Sequence, residues 1–187
     1  MSLRSVCVFC GSRPGRNPAH ASAARATGAM LARNGWRLVF GAGDVGLMGA
    51  VAEAAAAAGA DRLGVIPVHL LGRERQTATA GRDRRQFVVT EDMHERKKVM
   101  FMNSDAVVVL PGGAGSLDEF FEVLTWAQIG LHAKPILLLD VEGYWQPLIG
   151  LIDHVIAEGF ADAGLRRHFQ VIADVAGLEA ALAGAFA

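Results

Sequence analysis

The densest chemical signal in the sequence is the run Pro111-Gly112-Gly113-Ala114-Gly115-Ser116-Leu117-Asp118-Glu119. Its three glycines let backbone approach a ligand closely. A helix that follows such a loop aims unpaired N–H groups and its positive dipole end into it. The result is an anion site suited to a phosphate. Ser116 adds a hydroxyl donor. The run is not a Walker loop, because no Gly-Lys-Ser/Thr ends it. Ser116-x-x-Glu119 also spells a capping box, in which Glu119 would only satisfy the N-cap amide. The local pattern leaves cap and catalyst equally open for Glu119.

Two further segments could take part. Met93-His94-Glu95-Arg96-Lys97-Lys98 places basic residues at the start of a predicted helix. One reading is a solvated charged turn. The other is an anion site, because cations in a first turn oppose the helix dipole and a bound anion would relieve that conflict. Gly41-x-Gly43-x-x-Gly46 follows a predicted strand and opens a helix, as a dinucleotide fingerprint does. It comes after the second strand, however, and its acidic partner Asp61 precedes the next strand where it should follow it. Tight-turn glycines are the competing reading. Cys7 and Cys10 form a C-x-x-C inside an apolar strand-like run, so they point to opposite faces and read as buried structural cysteines. No second C-x-x-C and no H-E-x-x-H accompanies them, which argues against zinc.

These segments need elements to hold them. Short apolar runs at 5–10, 37–40, 62–66, 86–89, 106–110, 135–139 and 170–173 are rich in Val, Ile and Leu with little alternation. That pattern predicts strands buried on both faces. Helical stretches fall between them, at about 18–34, 47–58, 93–104, 117–130, 143–158 and 178–186. Asn17-Pro18 reads as an N-cap followed by a proline at N1. The alternation predicts one α/β domain over 1–187: a doubly wound, mostly parallel, Rossmann-like sheet with helices on both faces. Ligands of such sheets bind beyond the carboxyl ends of the strands, where strand order reverses. Residues 72–85 break the pattern, with five arginines and no apolar periodicity. They read as a surface excursion or a lid.

Composition narrows the function. The chain has 187 residues, 52% hydrophobic, with a net charge of −1. That removes the simplest case for nucleic acid or an anionic membrane as partner. No stretch approaches the length and apolarity of a membrane span, and residues 5–10 are too short for a signal-peptide core. The expected location is cytoplasmic.

The motifs also match a known family as a set. The chain resembles the Lonely Guy phosphoribohydrolases, whose signature P-G-G-x-G-T-x-x-E is preceded by M-x-x-R-K. Here these stand as Pro111 to Glu119 and Met93 to Lys97. The likeness extends to Val6-Cys7-Val8-Phe9-Cys10-Gly11-Ser12, Val45-Gly46-Leu47-Met48-Gly49-Ala50 and Leu124-Thr125-Trp126-Ala127-Gln128. It departs at Ser116, where the family has threonine. It also departs at Ala42 and Asp44, where the family has glycine and serine.

The resemblance implies hydrolysis of the N-glycosidic bond of cytokinin or adenine riboside 5′-monophosphates to free base and ribose 5-phosphate. It implies Arg96 and Glu119 as catalytic residues. Gly112, Gly113, Gly115 and Ser116 would hold the phosphate, and Lys97, Glu74, Thr125 and Met93 would contact substrate, with Ser12 a weaker candidate. AMP or an N6-substituted adenosine 5′-monophosphate is the implied substrate, with no metal or organic cofactor. A homodimer is implied too, and the apolar positions Leu117, Phe120, Phe121 and Leu124 are candidates for its interface. The competing readings are a non-catalytic nucleotide carrier or sensor on the same fold, and a nicotinamide-dependent oxidoreductase using Gly41–Gly46.

Overall fold

A computed structural model describes residues 3–71 and 87–187. Strands β1 (Ser5–Phe9), β2 (Arg37–Phe40), β3 (Arg62–Pro67), β4 (Phe87–Thr90), β5 (Ala106–Val109), β6 (Ile136–Leu139) and β7 (Gln170–Ile172) alternate with helices. The helices are α1 (Pro18–Arg33), α2 (Gly46–Ala57), α3 (Met93–Met102), α4 (Ala114–Gln128), α5 (Gln146–Ala157) and α6 (Val175–Phe186). The strands form one sheet in the order β4-β3-β2-β1-β5-β6-β7. Every pairing is parallel. The order reverses between β1 and β5, which makes their carboxyl ends the place to look for a ligand.

Two cores follow from strand alternation. Val6, Val8 and Cys10 pack with α1, α2 and α6 through Met30, Leu47 and Leu178. Cys7 and Phe9 pack on the other side with α3, α4 and α5 through Met100, Phe120 and Ile149. Fully buried side chains such as Phe9, Leu31 and Phe120 contribute about 1.5–3 kcal/mol each. The two cysteines are free, buried and on opposite faces, as the alternation requires. Burial first, and then the Glu119 carboxylate, pushes both thiols above their ordinary range. They are inert at neutral pH.

The Asn17 side chain accepts from the Ala19 N–H at 2.9 Å, capping α1 ahead of Pro18. Two boundaries depart from the periodicity. Helix α5 starts at Gln146 rather than 143, because Glu142 (φ 53°) and Gly143 (φ 71°) are left-handed and cannot belong to it. Helix α4 starts at Ala114, three residues before the expected 117. Phe120 and Leu124, two candidates for an interface, are instead core; Leu117 is half-buried and Phe121 is exposed. Among the described residues no helix is long and apolar enough to cross a membrane.

Candidate active site

The loops after β1 and β5 are tied together where the strand order reverses. Gly11 N–H donates to the Pro111 carbonyl at 3.0 Å. The Gly11 carbonyl accepts from the first amides of α2, Leu47 at 3.0 Å and Met48 at 3.3 Å. Over this junction lies a cavity of about 490 Å³. Its wall includes Ser12, Met93, Arg96, Gly112, Gly113, Gly115, Ser116 and Glu119. The fold therefore gathers eight of the eleven residues expected from sequence. Glu74 lies outside the described residues.

The early start of α4 changes what its first turn can do. Gly113 is the N-cap, so Ala114, Gly115 and Ser116 are the first three helical residues, and the first intrahelical bond is Leu117 N–H to the Gly113 carbonyl at 3.1 Å. The amides of 114–116 thus have no acceptor within the helix. Gly113 has no side chain to cap them. The capping-box reading fails for the same reason: Ser116 is the third helical residue and not the N-cap, and Glu119 stands one turn further along α4. A carboxylate and a free helix N-terminus thus share one wall, about 5 Å apart along the axis.

The glycines divide by purpose. A Cβ on Gly112 would collide with Ser116 Oγ, so that glycine is needed for packing. A Cβ on Gly113 or Gly115 would meet nothing within 4 Å. The fold therefore has no steric need for glycine at either position, and both leave bare backbone at the cavity wall. Gly115→Ala is therefore expected to keep or raise stability, by up to about 1 kcal/mol from helix propensity. The same change should raise KM for a phosphorylated substrate at least about tenfold, the effect of roughly 1.4 kcal/mol of lost binding. Thermal melting and steady-state kinetics on one preparation check both halves.

Arg96 is buried and aimed. Its Nη2 donates to the Gly41 carbonyl at 2.8 Å and its Nε to the Val65 carbonyl at 3.2 Å. A Cβ at Gly41 would collide with this guanidinium, and a Cβ at Gly46 (φ 61°) would collide with the Ser12–Arg13 backbone. Gly41 and Gly46 therefore serve internal close approach, which weakens the support for a dinucleotide fingerprint. Ala42 stands at φ 60° where the family has glycine. Its Cβ packs where Gly64 lacks one. Asp44 is not part of the cavity wall.

Helix α3 resolves its dipole conflict internally. The Asp92 side chain caps it by accepting from Glu95 N–H at 2.8 Å. Lys97 does not line the cavity. Its ammonium pairs with Asp118 at 2.9 Å and Glu122 at 3.2 Å, joining α3 to α4. Burial opposes its charge, but these two carboxylates outweigh it and hold its pKa above the ordinary value. Thr125 is exposed on α4 and donates to the Phe121 carbonyl at 2.7 Å, away from the cavity. Two cavity residues, His20 and Tyr144, were not legible as site residues from sequence.

Residues 48–182 match a family model described as "Possible lysine decarboxylase". A rice relative, "Probable cytokinin riboside 5′-monophosphate phosphoribohydrolase LOG4", is 45% identical over 175 residues, spanning 94% of this chain and 74% of the relative. The "Cytokinin riboside 5′-monophosphate phosphoribohydrolase" of Rhodococcoides fascians is 42% identical over 182 residues, spanning 96% and 89%. The chain belongs to the Lonely Guy family. The decarboxylase wording of the family description implies pyridoxal phosphate held by a lysine Schiff base. The chain's lysines are Lys97, Lys98 and Lys134. Lys97 is paired as above, Lys98 is exposed, and Lys134 donates to the Phe101 carbonyl at 2.6 Å. None of the three lines this Lonely Guy cavity, so its residues do not fit that cofactor. Among solved structures, the molybdenum cofactor carrier protein of Chlamydomonas reinhardtii superposes with a TM-score of 0.73 at 24% identity, spanning 99% of this chain and 98% of that one. At that identity the likeness concerns the fold.

Proposed function

We propose that this chain hydrolyses the N-glycosidic bond of adenine-type riboside 5′-monophosphates, including N6-substituted cytokinin nucleotides, to free base and ribose 5-phosphate. One observation carries the reading. A buried arginine and a carboxylate, Arg96 and Glu119, flank the same cavity as an uncapped helix N-terminus with two sterically unneeded glycines. A carrier needs the anion site, but it has no use for both charges.

The chemistry follows from the placement. The 5′-phosphate accepts from the amides of 114–116 and from the Ser116 hydroxyl. That puts the sugar one helical turn along α4, beside Glu119. Breaking the bond from C1′ to the base leaves oxocarbenium-like positive charge on the ribose, which the carboxylate stabilises. As the water oxygen bonds to C1′, the electron pair of the C1′–N bond goes to the base, and Glu119 takes the water proton and then gives it to the leaving base nitrogen, which restores the carboxylate. Arg96, fixed by two carbonyls, supplies a cation on the same wall, to orient the carboxylate or to bind a ribose hydroxyl.

A homodimer is part of this proposal. Leu117, Phe121, Trp145, Leu148 and Leu151 surround a second, apolar cavity of about 420 Å³ beside the first. Phe121 and Leu151 are exposed there, 38% and 51%. Thr125 lies one turn from Phe121 on α4, so it would reach a substrate only from a second copy. The test is incubation with AMP or N6-isopentenyladenosine 5′-monophosphate, followed by chromatography. Free base and ribose 5-phosphate in equal amounts are expected; tight binding without turnover would leave the carrier reading standing instead.

A further inference from the structure

Tyr144 is the only tyrosine in the chain, and it lines the cavity at the edge of the phosphate loop. It comes from the turn after β6, the strand next to β5 in the sheet. That turn is costly to form. Glu142 (φ 53°) and Gly143 (φ 71°) are both left-handed, and a non-glycine residue there is strained. The Asp140 carboxylate holds the turn by accepting from Trp145 N–H at 2.6 Å and from Gln146 Nε2 at 2.5 Å. The ring of Tyr144 is gripped edge-on from two sides, by His20 of α1 at 5.3 Å and by Trp145 at 4.8 Å. The effect is to deliver one hydroxyl to one atom: Tyr144 Oη donates to the Gly112 carbonyl at 2.6 Å.

That carbonyl matters for electrostatic reasons. Gly112 has no side chain to limit how its peptide turns, and a carbonyl oxygen turned toward a phosphate would repel it. With the oxygen tied to Tyr144, that repulsion is removed. The 112–113 peptide bond, which carries both this carbonyl and the Gly113 N–H, is trans, so that N–H points to the side opposite the tied oxygen. We propose that Tyr144 is a positioning residue that fixes the 112–113 peptide with its carbonyl away from, and its N–H available to, the 5′-phosphate of the substrate. The inference rests on the phosphate reading of the loop given above.

Tyr144→Phe removes the hydroxyl and keeps the ring between His20 and Trp145. With a nucleoside 5′-monophosphate, KM should rise about five- to tenfold, the loss expected for one hydrogen bond that preorders a charged contact. The inhibition constant for inorganic phosphate should rise by the same factor. The kcat/KM for the unphosphorylated nucleoside should be unchanged, and so should the melting temperature. A purely structural role would lower nucleotide and nucleoside hydrolysis together, and that result overturns the proposal. If the wild type prefers the nucleotide and Tyr144→Phe behaves like it, this inference alone is overturned. If the wild type treats nucleoside and nucleotide alike, the phosphate reading fails and takes this inference with it.

Discussion

Glu119→Gln is expected to lower kcat by about 10²–10⁴, the usual weight of a catalytic acid or base, while the protein folds and melts as the wild type does. The amide keeps the shape of the side chain but can neither take a proton from water nor offset positive charge on the ribose. Stability should hold because the N-cap of α4 is Gly113, so Glu119 supplies no cap that could be lost. Arg96 also keeps its two carbonyl acceptors, Gly41 and Val65. Steady-state kinetics and a melting curve on the same sample separate the two effects. Retained activity with a drop in melting temperature would make Glu119 a structural residue.

Removing the 5′-phosphate from the substrate should be at least as damaging. Three helix-terminal amides each donating to an anion contribute about 1.5–3 kcal/mol apiece. At the low end that still separates nucleotide from nucleoside by a factor on the order of 10³ in kcat/KM. Part of the loss should fall on kcat, because in the proposed pose the phosphate lies one turn from the reacting carbon and its binding energy orients the sugar. Comparing adenosine with AMP measures this. Equal kcat/KM values would mean that the turn at 112–116 holds something else.

Most of the fold was open to reading from the sequence. Runs such as Val6 to Cys10 and Ala106 to Leu110 are apolar at every position, and only a strand covered on both faces uses such a run. The glycine-rich turns after β1, β2 and β5 marked the end of the sheet where a ligand would bind, but that β1 and β5 lie side by side there is seen only in the folded sheet. Boundaries were harder where glycine served two purposes. Gly113 and Gly115 look like loop residues, yet they form the cap and second residue of α4, so glycine there did not mark the end of the loop. That shift turned Ser116-x-x-Glu119 from a capping box into a carboxylate on a cavity wall. Lys97 stood beside Arg96 in one motif, but consecutive helical residues lie about 100° apart. Arg96 therefore faces the cavity and Lys97 faces Asp118 and Glu122. Tyr144 was hidden inside a predicted helix, since nothing local announces two left-handed residues in succession when the first is glutamate.

In the proposed complex the amino end of α4 holds the phosphate while Glu119 faces the sugar. The most direct measurement is a crystal structure of Glu119→Gln soaked with a nucleoside 5′-monophosphate. The expected result is a phosphate within about 2.7–3.2 Å of the amides of 114–116, with C1′ beside residue 119. A nucleotide bound elsewhere, with the turn at 112–116 left without a ligand, would contradict the account.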